Sequence, residues 1–125
     1  MNAPSEKHER ILRVLRDADG PMSANEVWET LRADRNTVGI ATVYRALKRG
    51  VEEGALSPVE LQAGSVRYEP ADLEHHHHFL CSICERAFDL EGCVRDLRGL
   101  LPQGFEMTGH EVLLYGTCST CRRTS

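Results

Sequence analysis

The sequence predicts an α+β protein in two parts: a winged helix over residues 1–70, then a small unit of strands and one helix over residues 71–125. Three observations support this fold class. Three segments before residue 54 carry apolar residues at helical spacing, two short strand-like stretches follow them, and the remaining chain holds two Cys-x-x-Cys pairs. Each part has only about 60 residues, a size that folds marginally without a metal, a staple or a partner chain.

The first predicted helix covers residues 6–18. Its apolar side chains recur at the i, i+3, i+4, i+7 spacing of one helical face and are Ile11, Val14, Leu15 and Ala18. The sequence Asp-Gly-Pro at 19–21 ends this helix, because glycine and proline both interrupt helices.

The second helix is predicted to begin at Ser23. Ser23 and Glu26 form a capping-box pattern, in which the serine hydroxyl and the glutamate carboxylate satisfy free backbone amides at a helix start. Val27, Trp28 and Leu31 supply its buried side, and residues 34–36 form a turn.

The third helix is predicted over residues 39–53, with Gly54 as its stop. Its apolar face consists of Ile40, Val43, Leu47 and Val51. The opposite face carries Thr42, Arg45 and Arg49, with Tyr44 and Lys48 alongside. Such side chains contact phosphates and base edges in DNA, although a polar helix face taken alone is more often simply solvated. The helix order and the hairpin that follows favour a DNA-reading surface.

Two short strands at 56–61 and 65–68 are predicted to form the hairpin, joined through residues 62–64. Residues 69–72, Glu-Pro-Ala-Asp, are predicted to be a hinge, because proline lacks the amide that would continue a strand. Beyond it we expect strands at 76–81, 85–90, 105–107 and 111–115, and a helix at 92–101 with Val94, Leu97 and Leu101 inward.

Four of the five cysteines form two Cys-x-x-Cys pairs, Cys81 with Cys84 and Cys118 with Cys121. Two such pairs supply the four thiolates of a closed tetrahedral zinc site, which is structural because no coordination position stays open. The alternatives are buried cysteines or a redox pair, and a reducing compartment disfavours disulfides. Cys93 is left over, and it is read as a small buried hydrophobe, with a redox or metal role as the minority alternative.

Four consecutive histidines occupy residues 75–78. Alternate residues of a strand face opposite sides, so His75 and His77 would point one way and His76 and His78 the other. The run can therefore serve two metal sites, each completed from elsewhere; candidates are Glu69, Asp89, Asp96 and His110. Imidazole with carboxylate suits divalent iron, manganese, zinc or cobalt. The alternative is that the histidines are a vector-encoded tag without a function, and the internal position of the run argues against it.

The net charge is −4, so any DNA contact must come from a local basic face rather than from the field of the whole protein. No apolar run is long enough to span a membrane, and the N-terminus lacks the apolar core of a signal peptide. The sequence therefore predicts a cytoplasmic protein with no membrane partner.

Four segments together resemble the ferric uptake regulator family: residues 39–48 (GIATVYRALK), 67–69 (RYE), 75–84 (HHHHFLCSIC) and 109–118 (GHEVLLYGTC). They occur in the family's order and cover essentially the whole chain. The resemblance implies a homodimeric repressor with an N-terminal winged-helix DNA-binding domain, at 1–70, and a C-terminal α/β dimerisation domain with structural zinc, at 71–125. Its partner would be double-stranded DNA with an AT-rich palindromic operator, bound when a regulatory metal is loaded.

The resemblance also implies roles for particular residues. Tyr44 and Arg45 match the recognition-helix contacts, to which the helix face adds Thr42 and Arg49. The structural zinc ligands would be Cys81, Cys84, Cys118 and Cys121. The regulatory site at the hinge would use Glu69, His76, His78 and Asp89, and an additional site would use His75, His77, Asp96 and His110. Iron or manganese is the expected regulatory metal, with zinc as the alternative.

Four positions bear on how this chain differs from particular members of the family. Pro21 stands where many relatives have a histidine ligand, so the hinge site is expected to lack one ligand or recruit another. Gly50 replaces a large apolar residue, and we expect it to cost about 1 kcal/mol of helix stability and to leave a gap. Asp89 resembles the aspartate of peroxide-sensing relatives, which makes peroxide sensing an alternative function. The missing histidine at Pro21 argues against that alternative. Glu69 stands where zinc sensors often have cysteine, so zinc sensing is not favoured.

Two readings from other classes compete with the regulator. A zinc hydrolase would need a motif such as His-Glu-x-x-His, which the sequence lacks, so we do not expect an enzyme. A metal buffer without a DNA role would use the histidines but leaves the polar face of the third helix unexplained.

Overall fold

The computed structural model describes residues 6–35, 38–61, 65–92 and 96–124. Its first part contains three helices and a three-stranded sheet: α1 (Glu6–Asp17), β1 (Met22–Ser23), α2 (Ala24–Ala33), α3 (Ile40–Glu52), β2 (Leu56–Glu60) and β3 (Val66–Pro70). The second part contains β4 (His77–Cys81), β5 (Ala87–Leu90), a 3-10 turn (Leu97–Leu100), β6 (Leu113–Gly116) and α4 (Ser119–Thr124). The predicted α+β class is confirmed.

The three helices begin and end close to the predicted positions because local chemistry determines their ends. The Ser23 hydroxyl accepts from the Glu26 amide, while the Glu26 carboxylate accepts from the Ser23 amide, which completes the capping box. Gly39 and Glu53 flank α3 as its caps, and Gly54 follows with φ 79°. These are the predicted bounds of the second and third helices to within a residue or two.

One apolar core lies between the helices and β2, and its members are at most 7% exposed. They are Ile11, Leu15, Ala24, Val27, Leu31, Val38, Val43, Ala46, Leu47 and Leu56. The described residues after Pro70 bury much less, on two strands only: His77, Leu80, Cys81 and Ala87. The described residues of the second part therefore form too small a core to be stable on apolar burial alone.

The first sheet has the order β1-β3-β2 and is antiparallel throughout. β1 was not anticipated from the sequence, because a two-residue strand has no detectable period. The predicted hinge is wrong in its first half: Glu69 and Pro70 belong to β3 and pair with Ser57 and Leu56 of β2. The strand ends at Pro70, two residues beyond its predicted end at Tyr68, and the connection to the second part begins at Ala71.

The second sheet has the order β5-β4-β6, with β4 antiparallel to β5 and parallel to β6. The predicted strand at 105–107 is absent: the chain there forms neither helix nor strand, and Phe105 is 66% exposed. Of the predicted helix at 92–101 the described part is only the 3-10 turn, on which Leu100 is 79% exposed. Cys93 and Val94 lie outside the described residues.

The gap expected beside Gly50 is also wrong. Gly50 is buried on α3, and a β-carbon there would lie 2.6 Å from Cδ1 of Leu56. Leu56 at the start of β2 therefore fills the space that a larger residue would take.

Candidate metal centres and nucleic-acid face

The first candidate metal centre joins the two parts of the chain, and we call its four residues the hinge site: Glu69, His76, His78 and Asp89. Glu69 comes from β3 of the first part, whereas His78 and Asp89 are register partners on β4 and β5 of the second. Oε2 of Glu69 lies 3.1 Å from Nε2 of His76 and 3.3 Å from Nε2 of His78. Oδ1 of Asp89 lies 3.5 and 3.6 Å from the same two nitrogens.

These distances suit a bound cation. Ligand atoms about 2.1 Å from a tetrahedral centre lie about 3.4 Å from one another. Oδ1 of Asp89 is buried and accepts no hydrogen bond, so a positive charge is the partner that it needs. Nδ1 of His76 lies 2.7 Å from the Glu74 carbonyl, which orients the ring and leaves Nε2 toward the centre.

The protonation states in the hinge site reflect burial and mutual contact. Burial raises the pKa of Asp89, against the histidines that favour its charge. Burial also opposes ionisation of Glu69, but hydrogen bonds from His78 and His76 outweigh it and lower the pKa of Glu69. Burial disfavours a charged His76, yet hydrogen bonds to Glu74 and Glu69 raise its pKa overall. The charged forms of Glu69 and His76 thus stabilise each other.

Pro21 contributes no ligand to this site. It is fully buried just before β1 and has no donor atom in its side chain. Within the described part of the chain, the ligand set that converges here therefore has four members.

The second candidate centre contains the four paired cysteines, Cys81, Cys84, Cys118 and Cys121, which we call the cysteine site. Parallel pairing of Cys81 with Gly116 brings the two pairs together, since Cys118 follows two residues later. Sγ of Cys84 lies 3.9 Å from Sγ of Cys118, against about 3.8 Å for two sulfurs on one tetrahedral zinc ion. None of these four cysteines is in a disulfide bond.

Thiol acidity in the cysteine site is uneven. Backbone amides of Cys118 and Cys84 donate to Cys81 and lower its pKa to about 6. Burial, with the neighbouring thiols, raises the pKa of Cys121 to about 12. Cys81 is therefore the first thiolate, and full ionisation requires a cation that stabilises all four sulfurs.

The third candidate centre contains His75, His77 and His110, which we call the histidine site. The ring centroid of His75 lies 4.6 Å from that of His77 and 4.9 Å from that of His110. The Val112 amide donates to Nδ1 of His77, so a neutral His77 carries its proton on Nε2. Burial, aided by the neighbouring histidines, lowers the pKa of His77. In that tautomer a metal could bind His77 only after Nε2 releases its proton or Nδ1 gives up the hydrogen bond from Val112.

Asp96 does not join the histidine site. It is exposed before the 3-10 turn and has a φ of 65°. A continuous helix at 92–101 would bring Asp96 to this site. The described part of that segment is a short 3-10 turn, and Asp96 lies apart from the three histidines.

The candidate nucleic-acid face lies on α3. Tyr44 is 51% exposed, and Arg45 and Arg49 are also exposed, whereas Thr42 is half-buried. Nη2 of Arg45 donates to the Thr42 hydroxyl at 3.2 Å. Nε of Arg49 lies 2.7 Å from the Glu53 carboxylate, so Arg49 is engaged within its own helix. Of the two arginines, Arg45 is the freer to reach outward.

Sequence reasoning missed Arg67, which is 4% exposed on β3 and binds both Glu26 and the Glu85 carbonyl. The sequence did contain a signal for Arg67. It lies two residues before the candidate ligand Glu69 on one strand, so the two side chains share a face.

Among the described helices, none is both long and apolar enough to cross a lipid bilayer.

Comparison with known proteins agrees with this geometry. A sequence model for the "Ferric uptake regulator family" matches residues 4–115. The chain is 32% identical over 120 residues to the ferric uptake regulation protein of Bordetella parapertussis, across 91% of this chain and 85% of that protein.

Solved structures give the same result. The ferric uptake regulator of Francisella tularensis, determined with iron, has a TM-score of 0.70 and 28% identity over 97% of this chain and 95% of its own. The Vibrio cholerae regulator, whose structure showed rearrangement of the DNA-binding domains, has a TM-score of 0.73 and 26% identity over 93% and 92%.

Proposed function

Because the chain belongs to the ferric uptake regulator family, whose members are dimeric DNA-binding regulators rather than enzymes, we propose that it represses metal-homeostasis genes when its hinge site is loaded. The observation that carries the proposal is the origin of the ligands. Glu69 lies on β3, in the part that we assign to the DNA-binding domain, residues 1–70, whereas His76, His78 and Asp89 lie in the part that we assign to the dimerisation domain, residues 71–125.

Loading the hinge site changes what its residues can do. A bound divalent cation supplies the positive charge that Glu69 and Asp89 share. Glu69 then holds β3 to β4 and β5, so the winged helix keeps one orientation instead of sampling several. Loading shifts a population of orientations, and a sharp switch needs several kcal/mol of preference for the ordered one.

The winged helix would read DNA through α3. We propose that Tyr44 and Arg45 contact base edges and phosphates, with Thr42 and Arg49 as supporting contacts. In a dimer two such helices must lie about one helical turn apart to enter successive major grooves of an AT-rich palindromic operator.

The dimerisation domain presents surface for a second copy. β6 is an edge strand of its sheet, and Leu114 and Tyr115 on it are 50% and 51% exposed. With Phe105 and Leu100 they leave several large apolar side chains on the surface of the domain, which burial against a second copy would cover.

The cysteine site would hold structural zinc. Its sulfurs close all four positions, so zinc binding there stabilises the folded domain rather than signalling.

The chemistry of the hinge site bears on the regulatory metal. Two carboxylates and two imidazoles suit divalent iron or manganese, and the site has no thiolate to favour zinc. We therefore propose iron or manganese, and we assign the histidine site no signalling role.

The test is fluorescence anisotropy with zinc-loaded protein and a palindromic AT-rich duplex, titrated with buffered manganese, with iron under anaerobic conditions, and with zinc. We expect iron or manganese to tighten binding at least about tenfold, and Glu69→Ala to abolish that gain. Specific binding that is equally tight without added metal, or a Glu69→Ala variant that still responds, would contradict the proposal.

A further inference from the structure

The two domains also touch at a place that contains no metal ligand atom. Gly20, between α1 and β1, lies directly against β5. A β-carbon on Gly20 would lie 2.2 Å from the Ala87 carbonyl oxygen and 2.7 Å from Cα of Phe88. Because these are backbone atoms of a paired strand, they cannot move aside as a flexible side chain would.

A hydrogen bond reinforces this contact. The backbone amide of Asp89 donates to the Asp19 carbonyl at 2.7 Å. Asp89 therefore serves two purposes: its side chain belongs to the hinge site, while its amide binds the loop that precedes β1.

Arg67 makes a second connection between the domains. Its Nη1 lies 2.5 Å from Oε1 of Glu26, the capping glutamate of α2. Its Nη2 donates to the carbonyl of Glu85, the residue that follows Cys84. A buried guanidinium requires such partners, so Arg67 joins the start of α2 to the turn that carries the first cysteine pair.

We propose that Gly20 and Arg67 are positioning residues that dock the winged helix on β5 and on the cysteine turn, whether or not the hinge site is loaded. This inference rests on the proposed function, because it concerns how the DNA-binding domain is held. None of the contacts uses a ligand atom of the hinge site. They supply part of the preference for the ordered orientation, and loading of the hinge site supplies the remainder.

We call the contacts of Gly20 with β5 and of Arg67 with Glu85 the dock. A single substitution disturbs the first of these contacts. Gly20→Ala adds one methyl group that must collide with β5, and Gly20 needs no positive φ, so the substitution leaves the local backbone unstrained. Gly99→Ala is the matched control, because a β-carbon there meets nothing within 4 Å and Gly99 has no positive φ either.

The first readout is hydrogen exchange of the Asp89 amide in full-length, zinc-loaded protein without added manganese. We expect Gly20→Ala to accelerate this exchange by about tenfold or more, while the Leu47 amide in the winged-helix core exchanges as in the parent. Gly99→Ala should leave both amides unchanged. Equal Asp89 exchange in the two variants would overturn the proposal.

The second readout is DNA affinity with and without manganese. Gly20→Ala should weaken binding by about tenfold without manganese and by less at saturating manganese, because loading then restores the ordered orientation. An equal loss in both conditions would indicate a merely structural defect and would also overturn the proposal.

Arg67→Lys provides a variant that does not depend on Gly20. Lysine keeps a cation beside Glu26 but lacks the second guanidinium nitrogen that reaches Glu85. We expect the same direction in both readouts, and unchanged Asp89 exchange would remove Arg67 from the dock. If the parent protein binds no operator under any condition, the proposed function fails, yet the exchange measurement still decides whether the dock exists.

Discussion

The side chain of Leu56 occupies the space in which a residue larger than Gly50 would place its β-carbon. That β-carbon would lie 2.6 Å from Cδ1 and 2.8 Å from Cγ of Leu56, which is itself 5% exposed. Gly50 is thus a packing requirement that lets α3 approach β2 closely. In this way α3 and β2 are held together from behind the proposed DNA-reading face.

Gly50→Ala should therefore destabilise the protein although alanine favours helices. The gain in helix propensity is about 1 kcal/mol, and overpacking a buried leucine costs about 1–3 kcal/mol. We expect a net loss of about 1 kcal/mol in the free energy of unfolding, measured by urea denaturation of the zinc-loaded protein. In a Leu56→Ala background the same substitution should stabilise, and a loss in both backgrounds would contradict the packing argument.

Asp89→Asn should weaken metal binding at the hinge site at least about tenfold, because it removes the charge from a buried oxygen that accepts no hydrogen bond from the described residues. The measurement is manganese affinity by competition with a fluorescent chelator. Asp96→Asn is the control, since Asp96 is an exposed carboxylate outside the three ligand clusters. If Asp96→Asn matched the loss seen with Asp89→Asn, the proposed ligand set would be wrong.

Cys118→Ser should unfold the dimerisation domain while sparing the winged helix. The described part of that domain buries little apolar surface, so zinc binding, on the order of 10 kcal/mol, must provide most of its stability. We expect loss of bound zinc and of the dimer by light scattering, with little change in Trp28 fluorescence. Ser82→Ala, inside the first cysteine pair, should behave as the parent, and a stable zinc-free dimer of Cys118→Ser would refute the assignment.

Arg45→Ala should weaken operator binding by about 1–3 kcal/mol, as expected for an arginine at a base edge or phosphate. Arg49→Ala should cost less, because Arg49 is paired with Glu53 in its own helix. Arg98→Ala, an exposed arginine in the other domain, controls for net charge. Anisotropy at two salt concentrations makes the comparison, and equal losses for Arg98→Ala and Arg45→Ala would remove α3 from the interface.

The sequence alone determined the features that depend on near neighbours along the chain. The capping box of Ser23 and Glu26, the bounds of α3 and the splitting of the histidine run into two faces all follow from spacing of a few residues. The spacing of the cysteine pairs likewise indicates their chemistry, so the ligands of the proposed zinc site could be named without knowledge of the fold.

The tertiary structure decided what depends on distant segments. Only the parallel pairing of β4 with β6 shows how the two cysteine pairs meet, and only the approach of β5 shows why residue 20 is glycine. A two-residue strand such as β1 has no period to detect. The apolar spacing at 92–101 predicted a helix that carries Asp96, whereas the described part of that segment is a 3-10 turn. Arg67 lies 41 residues from Glu26 and 18 from Glu85, and no local pattern encodes contacts at such separations. Such contacts depend on which surfaces of the two packed domains face each other.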